Sequence, residues 1–329
     1  MRLDRHPSIA LACGFFCLAL GQAASAIVTN GTPDSAVTTQ WSGVGIISNG
    51  LGSASGVLID STHILAAAHE VVNPATHLAF PANQITFQLS FGGTAFTASS
   101  IAVAPGYVGG NPTTVGSTID YRTSDVADLA VITLSSPITN ASTWGYNTVS
   151  IADETVAGNA TFVGFGYGGT GAGGENSSLY PFGIKRQANN SIDLVTTTLT
   201  GTNVTNTANS TTIKLPPGVI AWDFDSSSGT PPSNGTPFGG PAVGPTEGDI
   251  ANGDSGAPIF QFDPASGKYL VVGIGLDGTN NTSFGEISWG TRTAAYANFI
   301  NSSVPEPTSM AAAVLGGMTL LARRRRRIG

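Results

Sequence analysis

Cysteine is nearly missing from this chain. The only two, Cys13 and Cys17, sit inside an N-terminal apolar run from Ile9 to Leu20. That run follows basic residues and precedes small residues at Ala24 and Ala26, the pattern of a secretory signal with cleavage predicted after Ala26. The exported remainder then has no disulfide and no cysteine metal site, and must hold by packing alone. Charge is scarce too, at 10% of residues, which argues against long surface helices. Of 13 basic residues, Arg2, Arg5 and Arg323–Arg327 are terminal; setting them aside, with Asp4 and Glu306, leaves six basic against 18 acidic residues. A body that acidic repels a phosphate backbone, so nucleic acid is not expected as a partner. No apolar run reaches the roughly 20 residues of a comfortable membrane span. The C-terminal one, Met310–Ala322, is far shorter, and the five arginines behind it would hold the end on the cytoplasmic side.

Glycine is abundant, at 43, with 19 prolines. They punctuate short apolar or alternating runs such as "VGIIS", "SGVLID", "ITFQLSF", "LAVITL", "APIFQF" and "YLVVGIGL", which read as strands. Two clusters of such runs, separated near 149–158, predict two β-subdomains. Gly168–Gly174 and Asp225–Gly248 read as long loops, and Arg292–Ile300 as a short terminal helix. The class is all-β, of barrel or sandwich character.

The stretch "NGDSGAPIF" (252–260) places Ser255 in a Gly-rich turn before a strand. Serine is a poor nucleophile unaided; it needs a base within reach and an acid behind that base. His69 follows three alanines in "LAAAHE", small residues that let the backbone pack closely and bring an imidazole to a strand end. His63 and His77 fit less well. Asp128 stands at the mouth of an alternating strand, "DLAVITL", where an unpartnered charge is costly, so it needs a partner. Asp120 and Asp125 lie in the looser segment before it. Asp223 and Asp225 lack the ordered spacing of a calcium loop, and no metal is expected.

"LAAAHE", "DLAVITL" and "GDSGAP" in that order resemble the trypsin-like (chymotrypsin-fold) serine proteases. The resemblance spans about 27–300, within a domain expected over 27–303. It implies two antiparallel six-stranded β-barrels, about 27–150 and 158–303, closed by a short C-terminal helix. It also implies a serine endopeptidase with Ser255 as nucleophile, His69 as base and then acid, and Asp128 as the group that holds His69. The N–H groups of Gly253 and Ser255 are the implied oxyanion hole, and Gly253 leaves room for the oxyanion to approach. Ile27, in "IVTNG", resembles the family's mature N-terminus, and its new amine would pair with Asp254 once the signal is removed. Asp249, six residues before Ser255, stands where the family places the base of its primary pocket and implies arginine or lysine before the scissile bond. The substrate-pairing edge falls on Leu276, Asp277 and Gly278. Glu70 and Ala257 depart from the family, which usually has Cys and Gly there. No cofactor is implied.

The tail, "VPEPTSMAAAVLGGMTLLARRRRRIG" (304–329), resembles the PEP-CTERM sorting signal of Gram-negative bacteria. This implies an exosortase-type sorting enzyme as partner, transient membrane contact, and a secreted or cell-surface location. The substrate expected is protein or peptide. The rival reading is a catalytically inactive homologue serving as a surface binding module.

Overall fold

A computed structural model describes residues 27–30, 40–149, 160–196, 201–206, 210–226, 238, 242–279 and 282–304. The expected signal, 1–26, and all but the first residue of the expected sorting tail lie outside the described residues. Among the described residues no helix is long and apolar enough to cross a membrane.

The first half is a closed barrel of six strands, Val44–Ser48, Ser53–Leu58, His63–Ala66, Thr86–Gln88, Phe96–Val103 and Ala130–Leu134. The last strand closes it by pairing antiparallel with both His63–Ala66 and Phe96–Val103. Alternation sorts the side chains into two cores, because successive strand residues point to opposite faces. Ile47, Leu58, Ile64, Ala66, Phe87, Ala130 and Ile132 share one core. Val44, Ile46, Val57, Leu65 and Val131 belong to another, which continues into the second half through Phe260, Val271, Ile274 and Trp289. Both faces of these strands are therefore buried, which is why "HILA" and "AVITL" read as nearly unbroken apolar runs.

The second half departs from the expected barrel. Seven strands form an open antiparallel sheet in the order Arg186–Asn190, Ala160–Gly164, Pro258–Asp263, Lys268–Gly278, Ile287–Arg292, Val219–Asp223, Leu194–Val195. Its two outermost strands are consecutive in the chain, and a side chain bridges the opening. Asn190 Nδ2 donates to Asp223 O (2.9 Å) and to Gly248 O (3.0 Å), where a closing barrel would run a backbone ladder. The stretch Gly168–Gly174, expected as a loop, contributes strands Gly168–Thr170 and Gly174–Glu175. The expected terminal helix begins later: Arg292 ends a strand, Thr293–Tyr296 is a 3₁₀ turn, and Ala297–Ser303 is α-helical.

Aromatic rings and backbone ladders join the halves. Trp41 stacks on Phe260 at 4.4 Å and meets Trp144 at 4.9 Å. Strand Thr118–Asp120 of the first half pairs in parallel with Thr211–Leu215 of the second, in a four-stranded sheet. Thr291 Oγ1 donates to Asp128 O, and Trp289 Nε1 to Asp125 Oδ2, across the same seam.

Candidate active site

The first half supplies His69 and Asp128. His69 lies on a 3₁₀ turn, Ala68–Glu70, just beyond strand His63–Ala66. Ala66, Ala67 and Ala68 are fully buried. Their small size lets the backbone close on the serine turn: a Cβ on Gly256 would sit 3.3 Å from Ala67 N and only 2.2 Å from Ser55 O. Asp128 stands two residues before strand Ala130–Leu134 and is 3% exposed. Its carboxylate accepts from both the backbone N (3.0 Å) and Nδ1 (2.7 Å) of His69, the partner a carboxylate at that strand mouth requires. His63 pairs instead with Asp60, Asp120 forms an ion pair with Arg122, and Asp125 is taken by Trp289.

The second half supplies Ser255, on the turn that leads into strand Pro258–Asp263. His69, Asp128, Ser255, Leu276 and Asp277 line one cleft of about 270 Å³. Gly253 has φ +90°, a region that glycine enters without steric cost, and a Cβ there would strike the Phe182 ring at 2.8 Å. Among the described residues neither the Gly253 nor the Ser255 N–H finds an acceptor in the chain. The turn is held by its other groups: Gly256 N donates to Gly275 O, and Ala257 N to Asp254 O. Two donors thus remain available beside the hydroxyl, the disposition an oxyanion requires.

His69 and Ser255 share the cleft without a mutual hydrogen bond. Ser255 Oγ donates to Leu276 O at 3.3 Å, and His69 Nε2 lies 3.1 Å from Glu70 Oε1. Partial burial pulls the imidazole pKa down, but the Asp128 and Glu70 carboxylates outweigh it and hold it well above its ordinary value.

Asp254 is fully buried and accepts from Gly166 N (2.8 Å) and Ala251 N (3.0 Å), while the Ile27 N–H beside it donates to Tyr167 O (3.1 Å). Burial nevertheless pushes its carboxyl up to about 7. Ile27 is equally buried, in a strand between Gly168–Thr170 and Gly248–Asp249, and its φ is +64°. For a β-branched residue that conformation is strained.

Asp249 is where sequence position misled. Its carboxylate is fully buried and committed to Trp222 Nε1 (2.7 Å), Ser288 Oγ (2.8 Å) and Ile250 N (2.8 Å). It lines neither the cleft nor the adjoining small cavity of about 70 Å³ that opens beside Ser255. The acids lining that cavity are Glu286 and, shared with the cleft, Asp277, with Ile250, Leu276 and Gly278 around them. Glycine at 278 makes the room, since a Cβ would lie 2.4 Å from Glu286 Oε1. Leu276 and Gly278 thus line the cavity beside Ser255, together with Glu286, which no motif in the sequence marks.

Ser55 was missed as well. Fully buried on a barrel strand, it receives Phe165 N on its Oγ (3.0 Å) and donates to Gly253 O (3.2 Å), while Ser55 N donates to Ser255 O (2.9 Å). Asp223 and Asp225 lie near Asp193 and Glu247, which share their raised pKa values. No family model matches this chain, and no curated protein matches it at a significant level.

Proposed function

We propose that the chain is a serine hydrolase and, within that class, an exported trypsin-like endopeptidase. The observation that carries this reading is the Asp128–His69 pair facing Ser255 across one cleft, with two unengaged N–H groups beside the hydroxyl. Asp128 holds the Nδ1–H tautomer, which leaves Nε2 as the base. Nε2 takes the Ser255 proton as Oγ bonds to the scissile carbonyl carbon, and the carbonyl electron pair moves to an oxygen held by the Gly253 and Ser255 N–H groups. Collapse breaks the C–N bond, and the imidazolium returns the proton to the leaving amine. Water repeats the sequence on the acyl-enzyme.

Signal removal after Ala26 would complete the site. The cut removes the carbonyl carbon that defines the Ile27 φ, so the strain is released, and it turns the N–H beside Asp254 into an ammonium. Pairing then brings the carboxyl back to its charged form. Beside Ser255, Glu286 takes over the part first given to Asp249, with arginine or lysine as the preferred residue before the scissile bond. The tail beyond 304 then serves sorting to the cell surface.

The test is a fluorophosphonate probe and a casein assay on the protein processed from its full precursor, wild type beside Ser255→Ala. Labelling and cleavage confined to wild type are expected. The missing Ser255–His69 bond favours one rival, an inactive binding module. A folded wild type that stays unlabelled from pH 5 to pH 10 would decide for that rival.

A further inference from the structure

Glu70 stands beside the reacting groups, and nothing in the mechanism uses it. Its backbone is structural: its N–H donates to Ala67 O and its carbonyl accepts Asn49 Nδ2. Its carboxylate has one partner among the described residues, His69 Nε2 at 3.1 Å. Both side chains are partly open to solvent, at 35% for His69 and 18% for Glu70.

The chemistry of that contact depends on one proton. With Nδ1–H given to Asp128, a neutral imidazole presents only a lone pair at Nε2, and a carboxylate oxygen has no donor to offer it. The contact is attractive only when Nε2 is also protonated, that is, when His69 is imidazolium between two carboxylates. In that state His69 has no lone pair for Ser255, and Ser255 Oγ–H goes to Leu276 O, as observed. Loss of the Nε2 proton reverses both preferences: Nε2 needs a donor, and the Ser255 hydroxyl in the same cleft is one.

We propose that Glu70 is a positioning residue that holds protonated His69 off Ser255, so that the protease restrains itself in acid and arms as the pH rises. The proposal rests on the reading of Ser255 as nucleophile and His69 as base. The other charged groups facing the imidazole are Asp128 on its own half and Asp277 on the strand from Lys268, with Asp125 behind Asp128; Tyr107 lines the cleft uncharged. All the charged ones are acidic, so each favours imidazolium, but Glu70 is the one that meets Nε2. The raised pKa of His69 has the direction this arrangement requires.

The experiment pairs two readouts on the processed protein. The first is the NMR titration of the His69 ring in Ser255→Ala, with and without Glu70→Gln, and it needs no catalysis. The second is the rate of phosphonate labelling against pH for wild type, Glu70→Gln and Glu70→Ala. His69 should titrate at lower pH without the carboxylate. Both Glu70 variants should label roughly threefold to tenfold faster than wild type near pH 6 and equally near pH 9. Superimposable labelling profiles with an unchanged His69 titration overturn the proposal and leave the protease reading intact. A shifted titration in a protein that never labels upholds the His69–Glu70 clamp and removes the protease. If neither variant folds, Glu70 is a structural residue and the proposal falls.

Discussion

The two halves of this molecule bury different things. The closed barrel buries apolar side chains, and its buried carboxylates, Asp125 and Asp128, lie at the cleft. The open sheet and its loops bury Lys185, Arg186, Asp223, Glu247, Asp249 and Asp254, and most are tied to backbone or to ring donors. Lys185 Nζ reaches Trp41 O at 2.8 Å, and Arg186 Nη1 reaches Ile184 O at 2.8 Å. With both cysteines, Cys13 and Cys17, near the N-terminus, the two halves cannot staple their loops to one another covalently. The first half avoids the need by closing a barrel, which leaves no sheet edge to secure. The second half leaves its sheet open and fastens it with buried hydrogen-bonded polar and titratable side chains. Such groups offset their desolvation only through the bonds they make, and cost much when one partner is removed.

That contrast predicts where the chain is most fragile. Asp249→Ala would leave Trp222 Nε1, Ser288 Oγ and Ile250 N without their acceptor in a site closed to water. A loss of about 3–5 kcal/mol is expected in chemical denaturation. Ile132→Val, in the barrel core, should cost about 1 kcal/mol. An Asp249→Ala no worse than Ile132→Val would erase the distinction between the halves.

The pH dependence of stability should carry the same signature. Burial pushes Glu247 up to about 8 and Asp249 up to about 6, while Asp193 and Asp223 are raised as well. A carboxyl whose folded pKa is raised binds more protons folded than unfolded. Its contribution is fully present below the ordinary carboxylate range and is lost as pH climbs through the folded value. His69, also raised, has the same sign in a higher window. The melting temperature should therefore fall between pH 5 and pH 8, by the equivalent of about 3–4 kcal/mol for Glu247 alone. Glu247→Gln should flatten that slope, and an unchanged slope would show that the second-half acids do not set it.

Ser55 crosses the divide, and Ser55→Ala sharpens it. The residue belongs to the barrel, yet its hydroxyl serves Phe165 N and Gly253 O of the other half. Removing it leaves a buried donor and acceptor unpaired, a cost of about 1–2 kcal/mol. The larger effect should be kinetic. Gly253 O belongs to the turn that carries the two unengaged N–H groups, and if these are the proposed oxyanion donors, a looser anchor should slow phosphonate labelling about tenfold. Equal losses in stability and labelling would reduce Ser55 to a packing residue.

What could be read from the sequence follows the same line. The residues of the cleft announce themselves through their neighbours: three alanines before His69, an alternating strand after Asp128, glycines around Ser255. Each neighbour answers a local steric or solvation demand, so the local sequence shows it. The barrel strands are legible for the same reason, since alternation is local. The closing of a sheet is not. Whether Arg186–Asn190 and Leu194–Val195 pair or stop at a side chain depends on contacts that periodicity does not encode. Asp249 shows the limit most sharply. Its place before Ser255 settles where its backbone lies, but Trp222 and Ser288, far apart in the chain, decide that its carboxylate turns away from the cavity. Glu286 reaches the cavity with no motif to announce it.

The smallest effect is expected where charge is exposed. Asp120, on the first half, pairs bidentately with Arg122 and lies 3.7 Å from Lys214 of the second. Lys214 thus forms the one ion pair between the halves among the described residues, and it sits at the rim of the sheet that joins them. The same residues are already joined there by parallel backbone pairing, Thr118 with Thr212 through Asp120 with Lys214. The lysine is 31% exposed, its distance is long for a hydrogen bond, and Arg122 holds the carboxylate in its absence. Lys214→Ala should therefore cost less than about 1 kcal/mol, and less still at high salt. A larger, salt-sensitive loss would mean that surface charge, rather than the ladder and the buried aromatic seam, holds the two halves in register.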